Sequence, residues 1–144
     1  MNDAVVDASL AVKRVIPEDH SAEADALLQN WQTRSIRRVV PSWFACEIGN
    51  VLYKRMLKRT LTLVQAQGNL EAILSEVVVL DFEPKTAKRG LELAQTFGRS
   101  ASYDAHYLAL AEHLGCELWT ADEKFWNATK GTFKWVRWVG EVVV

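Results

Sequence analysis

Four acidic side chains are placed where an α/β chain could gather them: Asp7, Glu47, Asp104 and Asp122. Asp7 ends the apolar run Ala4-Val5-Val6, and Asp122 follows Leu118-Trp119-Thr120. Asp104 lies in the first turn of a predicted helix. Glu47 sits one turn into another, off its Phe44/Ile48/Leu52 stripe and one turn before Asn50. In parallel α/β sheets ligands bind outside the carboxyl ends of the strands, and these four acids are expected to converge there. Converging carboxylates repel: two charges 4 Å apart at an effective dielectric of 20 cost about 4 kcal/mol. Such a cluster persists if some protons stay on or if a cation neutralises it. Ligands that are all oxygen suit Mg²⁺ or Mn²⁺ rather than zinc. A hard divalent ion that keeps its waters and favours phosphate points to metal-assisted attack on a phosphodiester.

The competing reading is structural, because acids at helix N-termini cap and complement the helix dipole. Asp104 and Asp122 each fit a capping role. Asp7, after an apolar strand, and Glu47, within a helix, are expected to have none, so the chemical reading rests on the set of four.

The elements that must position them follow from periodicity. Short apolar runs at residues 4–6, 39–41, 77–80, 117–120 and 135–139 read as strands. Pro41 is expected to end pairing in the second. Between them, residues 8–15 predict a short helix stopped by Pro17. Ser21 offers an N-cap for a helix to about Arg34. Residues 42–59 carry Phe44, Ile48, Leu52 and Met56 on one stripe. Thr62 and Gln65 form a capping-box pattern for a helix to about Leu74. Pro84 suits the first turn of a helix through Phe97. Residues 103–114 predict a further helix, with Gly115 as its C′ residue. Strands alternating with helices imply an α/β/α sandwich around a mostly parallel sheet.

Composition agrees. The 144 residues are 49% hydrophobic and 24% charged, with 7 Gly and 3 Pro, which excludes disordered and low-complexity classes. Area scaling buries roughly 68% of the unfolded surface, enough for a core without staples. We find no repeat, linker or composition shift, so one domain spanning residues 1–144 is expected. The net charge of −1 argues against bulk electrostatic binding of nucleic acid, though not against a local basic patch. Cys46 and Cys116 make no framework and read as small buried thiols. Asp3 and Asp7 stand where a signal peptide would carry basic residues. The longest apolar run, residues 107–111, is far below the ~20 of a membrane span. The expected location is cytoplasmic, which deprives the Asn127-Ala128-Thr129 sequon of meaning.

The motifs together resemble a known family. Val6-Asp7-Ala8-Ser9, Pro41-Ser42 with Glu47-Ile48-Gly49-Asn50, Tyr103-Asp104-Ala105 with Tyr107-Leu108-Ala109-Leu110-Ala111, and Leu118-Trp119-Thr120-Ala121-Asp122-Glu123-Lys124-Phe125 resemble the PIN-domain family. They are most similar to its VapC-type toxin ribonucleases. The resemblance covers essentially the whole chain, with acid spacings of 40, 57 and 18 residues. It implies a PIN-like fold and a Mg²⁺- or Mn²⁺-dependent endoribonuclease that cuts RNA, is held inactive by a cognate VapB-type antitoxin, and pairs as a homodimer. By position, Asp7, Glu47, Asp104 and Asp122 match the family's acidic quartet, with Asp7 and Asp104 the first candidates for direct metal ligands. Ser9, Asn50 and Thr120 match its supporting polar residues.

Other residues carry less. Basic residues cluster around Arg37, Arg55, Arg89 and Arg137, mostly as solvated helix faces. Lys13 and Arg99 are the better RNA candidates, because each lies near an acid on the presumed active edge. His20, His106 and His113 make no general-base case and read as surface or half-buried. Trp43, Trp119 and Trp126 lie in apolar contexts and read as core or subunit interface rather than base-stacking platforms. Two rival functions remain: a PIN scaffold that binds without cutting, and a receiver-like phosphoacceptor domain using Asp81. A haloacid-dehalogenase-like phosphatase is disfavoured, because Ser9 stands where its second acid would be.

Overall fold

A computed structural model describes residues 2–98 and 103–144. Arg99, one of the two RNA candidates, lies outside the described residues. Five strands form one sheet: β1 (Asp3–Val6), β2 (Arg37–Pro41), β3 (Val78–Leu80), β4 (Glu117–Thr120) and β5 (Val136–Trp138). Their order is β3-β2-β1-β4-β5, and each neighbouring pair is parallel. The helices that flank the sheet are α1 (Ala8–Ala11), α2 (Ser21–Thr33), α3 (Phe44–Leu57), α4 (Leu63–Leu74), α5 (Pro84–Phe97), α6 (Tyr103–Leu114) and α7 (Glu123–Thr129).

The sheet's centre is apolar because helices cover both faces. Ala4, Val5 and Val6 are all buried, and Val5 stands in register with Val39 of β2 and Leu118 of β4. Register is pinned at the strand starts, where Arg37 donates to both carboxylate oxygens of Asp3 at 2.8 and 2.9 Å. This pair extends β1 and β2 past the expected apolar runs. The outer strands β3 and β5 have three residues each, a length that limits edge pairing. Helix α6 packs across β1, β2 and β4 with α5 on its other side, which explains why Ala105 and the five residues 107–111 are all buried.

Pro41 ends β2 as expected, standing opposite Leu80 as the last paired residue. Several expectations are corrected. The helix expected over residues 8–15 tightens into a 3₁₀ turn at Val12–Arg14. Ser21 does not cap α2: its Oγ accepts from the Glu18 N–H at 2.9 Å, and His20 enters the helix in the left-handed region with φ 65°. The Thr62/Gln65 capping box is present in both directions, at 2.9 and 3.2 Å. Cys46 is exposed and Cys116 only half-buried, because Cys46 falls on the solvent side of α3. Helix α7 was not foreseen from periodicity, since its seven residues bury only Phe125 and Thr129.

Candidate active site

The site lies at the carboxyl ends of β1 and β4, where the chain turns from each strand into a helix. Asp7 follows Val6 and is the N-cap of α1; its Oδ1 accepts from the Ser9 hydroxyl at 2.7 Å and the Leu10 N–H at 3.1 Å. The expectation that Asp7 has no capping role is therefore overturned. Its own N–H donates to the Trp119 carbonyl at 3.3 Å, which ties the end of β1 to β4. Asp122 makes the matching turn after β4 and caps α7, with Oδ1 accepting from the Phe125 N–H at 3.0 Å.

Two hydroxyls bridge these turns. Ser9 Oγ accepts from the Ala121 N–H at 3.0 Å and lies 3.3 Å from Thr120 Oγ1. Thr120 is fully buried, and its Oγ1 accepts from the Asp122 N–H at 3.0 Å. Ser9 and Thr120 thus join the two strand ends into one polar seam, with Asp7 at one side and Asp122 at the other.

Glu47 enters from α3. Its Oε1 accepts from the Tyr107 hydroxyl at 2.9 Å and from the Trp43 Nε1–H at 3.2 Å. It lies in the helix's first turn rather than deep within it. Asp104, in the first turn of α6, is the common neighbour of the cluster: its charge acts on Asp7, Glu47 and Tyr107. Tyr107 lies three residues further along α6 and also feels Asp7 and Glu47.

The electrostatics follow from burial. Asp7 is 4% exposed, and loss of water pushes its carboxyl up from 3.8 to about 7. The negative charge of Asp104 adds to this, while the Thr120 and Ser9 hydroxyls and the Leu10 amide oppose it. Glu47 is raised for the same first reason, burial, with Asp104 adding and the Tyr107 and Trp43 donors opposing. The Tyr107 hydroxyl is raised by burial and by the acids around it, so it stays a neutral donor. Among the described residues no ion pair involves Asp7, whose partners are hydroxyls and amides. Among those residues, too, no three His, Cys, Asp or Glu side chains are drawn close enough to form a ligand shell by themselves. The donors that do gather are all oxygen, which suits a hard cation holding part of its hydration.

Asp7, Glu47 and Asp104 are therefore brought into one electrostatic field, and Asp122 is linked to it through Thr120 and Ser9. Asn50 is exposed on α3, one turn beyond Glu47. Lys13 is mostly buried, with its ammonium 3.2 Å from Glu18, which also accepts from Arg55 at 3.0 Å. An ammonium held in this way is not a free surface cation for phosphate. The other basic clusters are likewise partly spent on acids, as in Arg38–Glu76, Arg89–Glu112 and Arg137–Glu117. Sequence reasoning missed Trp43 and Tyr107 as partners of Glu47. Spacing held the signal: Trp43 is four residues before Glu47, and Tyr107 is three after Asp104 on the same helix face.

With this geometry in place, comparison with known proteins is informative. A family model described as the PIN domain matches residues 4–131. A search of curated proteins gives no match. Among solved structures, PAE2754 from Pyrobaculum aerophilum is 26% identical, with a TM-score of 0.69 over 96% of this chain and 85% of that one. VapC20 from Mycobacterium tuberculosis, described as a sarcin-ricin loop cleaving toxin, is 18% identical, with a TM-score of 0.67 over 88% and 95%. VapBC2 from Rickettsia felis, solved bound to a promoter DNA fragment, is 18% identical, with a TM-score of 0.66 over 88% and 93%. The architecture is thus shared with VapC and VapBC toxin–antitoxin proteins, and, with the family match spanning most of its length, the chain belongs to the PIN domain family.

Proposed function

We propose that this protein is a Mg²⁺- or Mn²⁺-dependent endoribonuclease, the toxin of a VapBC-type toxin–antitoxin pair, that hydrolyses RNA phosphodiesters. One observation carries the reading: Asp7 is a buried carboxyl group, raised chiefly by burial with the charge of Asp104 adding, and has no cationic partner among the described residues. A hard cation is the economical answer to that field. Asp7 and Asp104 would hold it directly, and Glu47 and Asp122 would complete the site directly or through water. When bound, the ion supplies a water of lowered pKa and an electrostatic hold on the phosphodiester.

The chain's own residues do the positioning. Ser9 and the Leu10 amide fix Asp7 Oδ1. Tyr107 and Trp43 both bond Oε1 of Glu47, so that among the described residues no hydrogen bond occupies Oε2, the oxygen that would face an ion or its water. Thr120 and Ser9 hold the two strand ends at constant spacing. No side-chain nucleophile is required. Support for the substrate comes from the neighbour described as cleaving the sarcin-ricin loop, and support for a VapB-like partner from the neighbour solved as VapBC2. We further propose that the protein works as a homodimer in the cytoplasm; no helix of the described residues is long and apolar enough to cross a membrane.

The test is RNA cleavage with Mg²⁺ or Mn²⁺. Asp7→Asn and Asp104→Asn should each abolish cleavage and relieve growth arrest on expression, with the fold retained. Undiminished cleavage by both variants would refute the site. A wild type that binds RNA yet never cuts it would favour the silent-scaffold reading.

A further inference from the structure

We propose that an open cleft of aromatic rings beside the acid cluster receives one unstacked nucleobase of the RNA strand whose phosphodiester lies at the acids. This rests on the nuclease reading above and specifies how that site engages its substrate. The cleft is lined by Trp43, Phe82, Ala87, Tyr103 and His106 and has a volume of about 310 Å³. Small-molecule sites run from ~300 to 1,000 Å³, so this one suits a single planar ring system rather than a helix.

Trp43 is the hub of the lining. Its ring centroid lies 4.5 Å from Phe82, 5.9 Å from His106 and 6.2 Å from Tyr103. The first two contacts are near-perpendicular, at 87° and 86°, the edge-to-face packing that makes rigid walls. The backing is equally tight: a Cβ at Gly90 of α5 would lie 2.7 Å from the His106 ring, so a glycine is what lets α5 approach and seat that ring.

A core role does not account for this cluster. On the same helix, Tyr107 is 1% exposed and donates to Glu47, whereas Tyr103, one turn earlier, is 54% exposed. Of the two expectations for Trp43, core or subunit interface, the core is not met: the side chain is half-buried and forms a cleft wall. Among the described residues no Lys, Arg, Asp or Glu lines the cleft, whose walls are chiefly aromatic. A π-face is what the walls offer, and every nucleobase presents one.

Position decides between RNA and a protein side chain. The wall and the acid share residues: the Nε1–H of Trp43, the cleft's hub ring, donates to Glu47 at 3.2 Å, and Tyr103 precedes Asp104 directly. Whatever fills the cleft lies beside the acids, where a strand held by its phosphate must place a neighbouring base.

The test is steady-state cleavage in Mn²⁺ of single-stranded RNA carrying one abasic residue at each position around the cut. For the wild type, one abasic position should raise KM roughly ten- to hundredfold. Tyr103→Ala should raise KM for the intact RNA by a similar factor with little change in kcat, and should erase the abasic penalty. Tyr103→Trp should restore both, and circular dichroism checks that each variant folds. Efficient cleavage with no abasic-sensitive position, or an unchanged KM in Tyr103→Ala and Phe82→Ala, overturns the cleft while leaving the nuclease reading intact. If those variants instead weaken only the binding of a co-expressed antitoxin, the cleft belongs to a protein partner and the proposal fails. If the wild type cuts no RNA, the nuclease reading and this proposal fall together.

Discussion

Replacing Asp7 by asparagine should stabilise the metal-free protein. The Asp7 carboxyl is raised from 3.8 to about 7 in the fold, chiefly by burial. Its folded pKa lies above its unfolded one, so between about pH 4 and 7 the folded state binds more protons. Stability must therefore fall as pH rises through that window and level off above it. Roughly 3 pH units at 1.36 kcal/mol each make the penalty about 4 kcal/mol. Relaxation and water entry reduce this, so about 2–4 kcal/mol is expected. Asparagine keeps the geometry, because its Oδ1 can still accept from Ser9 and Leu10, yet it carries no charge.

The assay is urea unfolding of both proteins in EDTA at pH 5 and pH 8. At pH 8 the variant should be the more stable by about 2–4 kcal/mol, or roughly 5–15 °C in Tm for a chain of this size. At pH 5 most of the difference should vanish. Added Mn²⁺ should then stabilise the wild type by about 2.7 kcal/mol at a hundredfold excess over Kd and leave the variant nearly unmoved. A variant at pH 8 that matches the wild type or falls below it would show that Asp7 is not a desolvated charge.

Two further outcomes follow from the same network. Ser9→Ala removes a donor to Asp7 and the acceptor for the Ala121 N–H, so it should cost about 1–3 kcal/mol of stability and steepen the loss of stability on raising pH; urea titrations across pH measure both. Tyr107→Phe removes a bond that holds Glu47 down, so the acidic limb of the cleavage–pH profile should move to higher pH while the fold persists.

Much of this arrangement was legible because strand ends and helix starts declare themselves. The apolar runs at Val5, Val39 and Leu118 pointed to a buried parallel centre, and the acids just beyond them to one edge. What stayed hidden depended on contacts between distant segments. Trp43 read as core or subunit interface and Tyr107 only as part of an apolar helical run, because sequence does not reveal that their polar tips meet on Glu47. Lys13 read as an RNA contact because Glu18 folds back onto it only through the 3₁₀ turn. Ser21 looked like a cap, yet its hydroxyl serves the preceding turn instead. Helix α7 has too few buried residues for a period to show.

On the proposed reading, capping and chemistry at Asp7 and Asp122 are one device. β1 and β4 are paired in register, with Val6 opposite Trp119, and each is followed by an acid that caps the next helix. A cap bond turns the carboxylate back toward its own helix start, over the end of the strand it follows. Two adjacent strands ending this way bring two carboxylates to one edge without any further instruction. Graded substitution at Asp122 separates the two roles. Asp122→Asn should retain the bond from the Phe125 N–H and keep the stability, while weakening metal-dependent cleavage. Asp122→Ala should lose the cleavage and about 1 kcal/mol of stability as well. If the asparagine variant cut RNA as fast as the wild type while the alanine variant did not, Asp122 would be a cap alone, and the ion would be held by the other three acids.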